Sequence, residues 1–150
     1  MSTRDGQAIG GMLWSTTQVV QRAFDRLLAE AGGNRPLWTI LKALHDDPAP
    51  STQREIAQRI ELREATLTHH LRAMEDAGLV TRVRSAENRR IVRVELTAAG
   101  GAQFERLLAA AIAFDDEMRQ ALDGDTATVL RGLRTLRDRF ADSDRPPPPL

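Results

Sequence analysis

The sequence predicts a mainly α-helical protein with one small β-hairpin, arranged as a winged helix–turn–helix between longer N- and C-terminal helices. Three observations carry this. Apolar residues recur at helical spacing through most of the chain. The period switches to two only at residues 79–97. The hairpin tip is basic, with Arg82, Arg84, Arg89, Arg90 and Arg93 against the single acid Glu87.

The elements follow in order. Residues 8–31 place Met12, Leu13, Val19, Val20, Ala23, Phe24, Leu27 and Leu28 at helical spacing, and "GGN" at 32–34 stops the helix. Pro36 opens the next helix at its N1 position, with Leu37, Ile40, Leu41 and Leu44 on one face. "DPAPS" is a loop. Thr52 and Glu55 have capping-box spacing ahead of a short helix that turns Ile56, Ala57 and Ile60 inward. "ELR" links it tightly to a helix over residues 64–77, which Gly78 ends at the C′ position. "LVTRVRS" and "RIVRVELT" read as two strands joined by "SAENR", with Val80, Val83, then Ile91 or Val92, Val94 and Leu96 as the apolar set. Thr97 caps a long helix carrying Phe104, Leu107, Leu108, Ala111, Phe114, Met118 and Leu122. "DGDT" breaks it, and Val129, Leu130, Leu133, Leu136 and Phe140 mark a last helix. The tail at 143–150, with four prolines before the last leucine, is expected to be disordered.

Composition excludes several chemistries. The chain of 150 residues has no cysteine, which removes disulfides, thiolate metal sites, a cysteine nucleophile and a thiol switch. No glycine-rich phosphate loop, Ser–His–Asp order or HExxH motif is present, so no enzyme is expected. The opening "MSTRDGQAIGG" lacks a basic stretch followed by an apolar one, and no apolar run reaches membrane-spanning length. A soluble cytoplasmic protein is expected. The 21 basic and 21 acidic residues cancel. Their distribution does not: the hairpin is basic, whereas Asp115, Asp116, Glu117, Asp123 and Asp125 oppose Arg119 alone. Lys42 is the only lysine; arginine is the residue suited to bidentate contact with phosphate and guanine.

Within "TLTHHLRAMEDAGLV" the two histidines separate by helix arithmetic. At 100° per residue, Leu67, Leu71 and Met74 form the buried stripe, His69 lies at about 200° and His70 at about −60°, bordering the core. Ala65, Arg72 and Asp76 share the outer side with His69, and Thr66 and Thr68 stand on its margins. Adjacent residues do not face each other on a helix, so a joint His69–His70 metal site is not expected, and His45 lies on another helix. The second helix of a winged helix–turn–helix lays its N-terminal side chains on base edges in the major groove, and the hairpin can put arginine in the minor groove.

Three segments together resemble the MarR family (multiple antibiotic resistance regulators). "TLTHHLRAMEDAGLV" is similar to its recognition helix and Gly-Leu-Val exit, "NRRIVRVELTAAG" to its wing and the helix start beyond, and "PLWTILKAL" to its second helix. The resemblance covers about residues 8–142. It implies residues 35–97 as the DNA-binding domain, and residues 8–34 with 98–142 as a helical dimerisation region. It also implies a homodimer that binds a pseudo-palindromic operator in double-stranded DNA, with a repressor expected over an activator. The DNA contacts expected are Gln53, Arg54, Arg63, Ala65, Thr66, Thr68, His69, His70 and Arg72 of the helix–turn–helix, and Arg82, Arg84, Asn88, Arg89 and Arg90 of the wing. Many members release DNA on binding a small aromatic anion. Met12, Trp14, Trp38 and His45 are the candidates for such an effector site here, although apolar residues at this spacing are more often core.

Two positions depart from the family pattern. Asn88 stands where the wing Asp usually holds the wing arginine; it can hydrogen-bond Arg90 but not ion-pair with it, which leaves Arg89 or Arg90 for the minor groove. Arg63 stands where Asp or Ser commonly caps, and arginine cannot cap. No cofactor and no metal are implied. The alternative is a winged-helix protein-interaction module without specific DNA binding.

Overall fold

The computed structural model describes residues 8–47 and 51–141. The elements are α1 (Ile9–Glu30), α2 (Arg35–Asp46), β1 (Ser51–Thr52), α3 (Gln53–Arg59), α4 (Glu64–Asp76), β2 (Val80–Arg84), β3 (Val92–Leu96), α5 (Ala98–Ala121) and α6 (Thr126–Phe140). The loop residues 48–50 and the tail expected to be disordered lie outside the described residues. The chain divides into two compact units, the first ending at Ile112 and the second starting at Ala113.

Local chemistry sets the helix limits of the first unit. The Asn34 side chain accepts from the Leu37 N–H at 2.9 Å and starts α2, with proline just inside it. The capping box read from sequence is present: Thr52 Oγ1 accepts from Glu55 N at 3.1 Å, and Glu55 Oε2 accepts from Thr52 N at 2.8 Å. α1, α3 and α4 all end in Schellman turns. Gly33 N donates to Leu28 O, Leu62 N to Ala57 O and Leu79 N to Met74 O, each at 2.8–2.9 Å. The left-handed residue of the turn is Gly32 after α1 and Gly78 after α4, but Glu61, at φ 54°, after α3. The α3–α4 turn is therefore tight at the expense of a non-glycine residue in the left-handed region.

The core of the first unit gathers residues from α1 to α5, β2 and β3. Leu28, Ile40, Leu41, Ile56, Leu67, Leu71, Val80, Val94, Phe104 and Leu107 are almost wholly buried together. The predicted stripe of α4 is correct: Leu67 and Leu71 are 0% exposed and Met74 5%. Gln103, itself buried, donates from Nε2 to the Gly32 carbonyl at 2.9 Å and fastens α5 to the end of α1. At Gly100 a Cβ would lie 2.0 Å from the Leu79 carbonyl oxygen, so only glycine lets α5 start against the exit of α4. Thr97 caps α5 as expected, accepting from Gly100 N at 3.0 Å, and its hydroxyl donates to Gly78 O at 2.6 Å.

The sheet has one strand more than the sequence suggested. β1 pairs antiparallel with β3, Ser51 opposite Val94 and Thr52 opposite Arg93, giving the order β1–β3–β2. Two residues are too few to show alternation, which is why only a hairpin was legible. The register also moves Val83 out of the apolar set. Val80, Arg82 and Arg84 lie opposite Leu96, Val94 and Val92 respectively. Val83 opposes Arg93 on the other face and is 58% exposed.

In the second unit, Asp123 (φ 43°) and Gly124 (φ 94°) make the break between α5 and α6 that "DGDT" signalled. No residue of α6 is buried; Val129, Leu130, Leu133 and Phe140 are exposed. On α1, Ile9, Met12, Trp14 and Val19 are likewise exposed. Among the described residues no helix is long and apolar enough to cross a membrane.

Candidate nucleic-acid interface

α3 and α4 are the two helices of a helix–turn–helix, and β2–β3 is the wing that follows directly. The Schellman turn at Gly78 reverses the chain so that β2 runs back beside α4. The contact is made by charge. Arg82 donates from Nε and Nη2 to Glu75 Oε2 at 2.9 and 2.7 Å, and its backbone N–H donates to Glu75 Oε1 at 3.2 Å. Glu75 is thus held by both the side chain and the backbone of the wing. The Arg82 guanidinium, by its hydrogen bonds and its charge, pulls the Glu75 carboxyl below the ordinary glutamate range against a smaller desolvation effect.

Other expected contacts separate into committed and uncommitted groups. Thr68 Oγ1 donates to Glu64 O at 2.8 Å and accepts from Gln53 Nε2. Arg84 donates from Nη1 to the Arg89 carbonyl at 3.1 Å, bracing the wing tip. Asn88 Oδ1 accepts from the Arg90 backbone N–H at 3.1 Å, and Ile91 N donates to Asn88 O at 2.9 Å. Asn88 therefore does bond Arg90, through the main chain, and folds the tip into an Asx turn that needs no ion pair. By contrast the guanidinium groups of Arg54, Arg63, Arg72, Arg89 and Arg90 are exposed and have no partner among the described residues. Arg63 precedes α4 without a side-chain cap bond, as expected.

The helix arithmetic for the histidines holds. His69 is exposed on the side of Ala65, Thr66 and Arg72, all exposed. His70 is half-buried and borders two shallow hollows at the start of α2, one with Leu37 and Met74, the other with Arg35, Pro36 and Leu62. Their rings meet edge-on at 5.7 Å. No group of three or more potential ligands that could hold a metal ion occurs among the described residues. A larger hollow lies between the start of α3, the start of α4 and the wing, lined by Thr52, Gln53, Arg54, Glu64, Asn88 and Arg90. It is the concave side of the candidate interface.

Of the candidate effector residues, Trp38 and His45 come together on one ring, and Met12 and Trp14 are exposed on α1. Trp38 stacks on Phe104 at 5.6 Å, His45 stacks on the same ring at 4.2 Å, and Phe24 meets Trp38 edge-on at 6.3 Å. Met12 and Trp14 are exposed on α1, with Trp14 at 71%. Sequence reasoning missed Phe24 and Phe104 as partners in this aromatic cluster, and Glu75 as the anchor of the wing. Glu75 had one available signal: seven residues and a glycine turn separate it from Arg82.

A helix–turn–helix with an arginine-bearing wing defines the class, a winged-helix DNA-binding protein. Residues 34–92, which hold this winged helix, match the model of the MarR family. Members of that family are transcription regulators and not enzymes. Solved structures of similar fold extend the likeness over nearly the whole chain. The Mycobacterium tuberculosis transcriptional regulator MosR in complex with DNA is 25% identical, with 93% of this chain and 100% of that one covered and a TM-score of 0.69. The PcaV transcriptional regulator of Streptomyces coelicolor with its natural ligand is 22% identical over 97% and 100%, with a TM-score of 0.73. The transcriptional repressor CouR on a 23-mer DNA duplex is 23% identical over 91% and 98%, with a TM-score of 0.76.

Proposed function

We propose that the chain is a cytoplasmic, sequence-specific transcriptional repressor that binds a pseudo-palindromic operator as a homodimer and leaves it when a small aromatic or anionic effector binds. The observation that carries this is the set of exposed, unpartnered arginines around the outer face of α4 and the wing tip. α4 enters the major groove with Ala65, Thr66, His69 and Arg72 toward the bases and backbone. Arg54 and Arg63 take phosphate, and His70 contacts the backbone at the edge of the groove. The Asx turn at Asn88 presents Arg90, with Arg89 beside it, to the minor groove. Arg82 and Arg84 support this arrangement from within the wing, since each already holds a partner.

The apolar residues that α1 and α6 each leave exposed support a homodimer. Trp38 and His45, ranged on Phe104, offer an aromatic wall for an effector, and Met12 and Trp14 of α1 are accessible to one. The similarity to MosR and CouR, solved on DNA, and to PcaV, solved with its ligand, supports the same reading.

A gel shift against the DNA upstream of the protein's own gene, at two salt concentrations, tests it. A dimer touching about six to ten phosphates should lose roughly 10³-fold or more in affinity between 50 and 200 mM salt, while still preferring one fragment over random DNA. Absence of any preferred fragment would leave the protein-interaction module as the reading.

A further inference from the structure

Thr68 lies on the margin of the outer face of α4, and its hydroxyl already holds two protein partners. Oγ1 donates its proton to the Glu64 carbonyl at 2.8 Å and accepts from the Gln53 amide. A hydroxyl has a single proton. No donor remains for a base edge, and both bonds turn the oxygen toward protein: α4's own backbone and the start of α3. In a helix threonine divides between two χ1 rotamers because its oxygen can bond the preceding turn. The amide of Gln53, reaching from the first residue of α3, selects one of them. The γ-methyl takes part in neither bond and is the apolar part of Thr68 that can meet a ligand.

We propose that Thr68 reads thymine by packing this methyl on the C5-methyl that thymine alone displays in the major groove, and that Gln53 is the positioning residue that fixes the rotamer. The inference rests on α4 being the recognition helix.

The test uses the full chain and a duplex selected by it from a random pool, with each thymine in turn replaced by uracil, which lacks only the C5-methyl. One buried methyl corresponds to about fourfold in affinity, so the wild type should lose about fourfold at one thymine of each half-site. Thr68→Val, which keeps the methyl, should retain the thymine–uracil difference, and Thr68→Ser should abolish it. Gln53→Ala should shrink the difference with Thr68 present and leave it unchanged in Thr68→Ser. If the wild type selects a duplex yet tolerates uracil at every position, or if Thr68→Val loses the discrimination along with Thr68→Ser, the thymine contact is refuted while the regulator reading stands. An unchanged difference in Gln53→Ala refutes the positioning role. If no duplex is selected over random DNA, both readings fall.

Discussion

At His69 the side chain faces away from the core on a side shared only with small and polar residues, so a substitution there tests recognition without disturbing packing. His69→Ala should cost about 1–3 kcal/mol on the preferred operator and lose sequence preference more than nonspecific affinity. Arg90→Ala should weaken binding to all sequences and flatten the salt dependence, because a phosphate or minor-groove cation contributes charge rather than base identity. Competition binding with random DNA separates the two; equal loss of preference in both would refute the division of roles. Glu75 makes a different kind of prediction. Its carboxyl titrates below the ordinary range when folded. A group whose folded pKa is lowered stabilises the fold at pH values above its unfolded pKa, and that contribution disappears as pH falls through the folded one. Resistance of the wild type to chemical denaturation should therefore fall on acidification below the usual glutamate range, and Glu75→Gln should be less stable at neutral pH with a shallower acid loss.

Among the elements, the turn between α3 and α4 carries a visible cost. Glu61 sits at φ 54° where α1 and α4 use glycine. Glu61→Gly should raise stability by about 1 kcal/mol, read as a rise in denaturation midpoint. Gly100→Ala should go the other way by about 2–3 kcal/mol, because its Cβ would meet the Leu79 carbonyl. The helices were legible in the sequence because their signals are local. The capping box at Thr52, the proline in α2, Gly78 and the Leu67–Leu71–Met74 stripe each declare themselves within one or two turns. β1 and the inward face of β2 were not, because they are set by pairing with β3, more than forty residues from β1. The same distinction holds in the interface. The outward direction of His69 follows from spacing, whereas the commitments of Thr68, Arg82 and Arg84 depend on partners that periodicity does not reveal. For the effector residues, helical spacing could not distinguish Trp38 and His45, packed on Phe104, from Trp14, which is exposed.

For the whole molecule the question is what covers α6, which buries none of its residues. A helix with Val129, Leu130, Leu133 and Phe140 exposed needs an apolar partner. Light scattering should give twice the chain mass at micromolar concentration. Leu130→Glu with Leu133→Glu should shift the protein to monomer and weaken operator binding, while leaving the far-ultraviolet spectrum of the winged helix in place. A wild-type protein that remains monomeric on and off DNA would refute the dimer.

The two-residue rung of β1 has a mechanical consequence. Thr52 is at once the partner of Arg93 in the wing and the cap of α3, and the next residue, Gln53, grips Thr68 on α4. Bending the wing therefore loads the peptide on which α3 begins and, through Gln53, the first turns of α4 at Thr68, with no compliant linker between. Hydrogen exchange should find the amides of residues 52, 55 and 92–94 opening together as one foldon, while those of the wing tip exchange independently. A DNA backbone that pushes on the tip would thus be felt at the base-reading face, and groove width and base identity would be sensed by a single rigid lever.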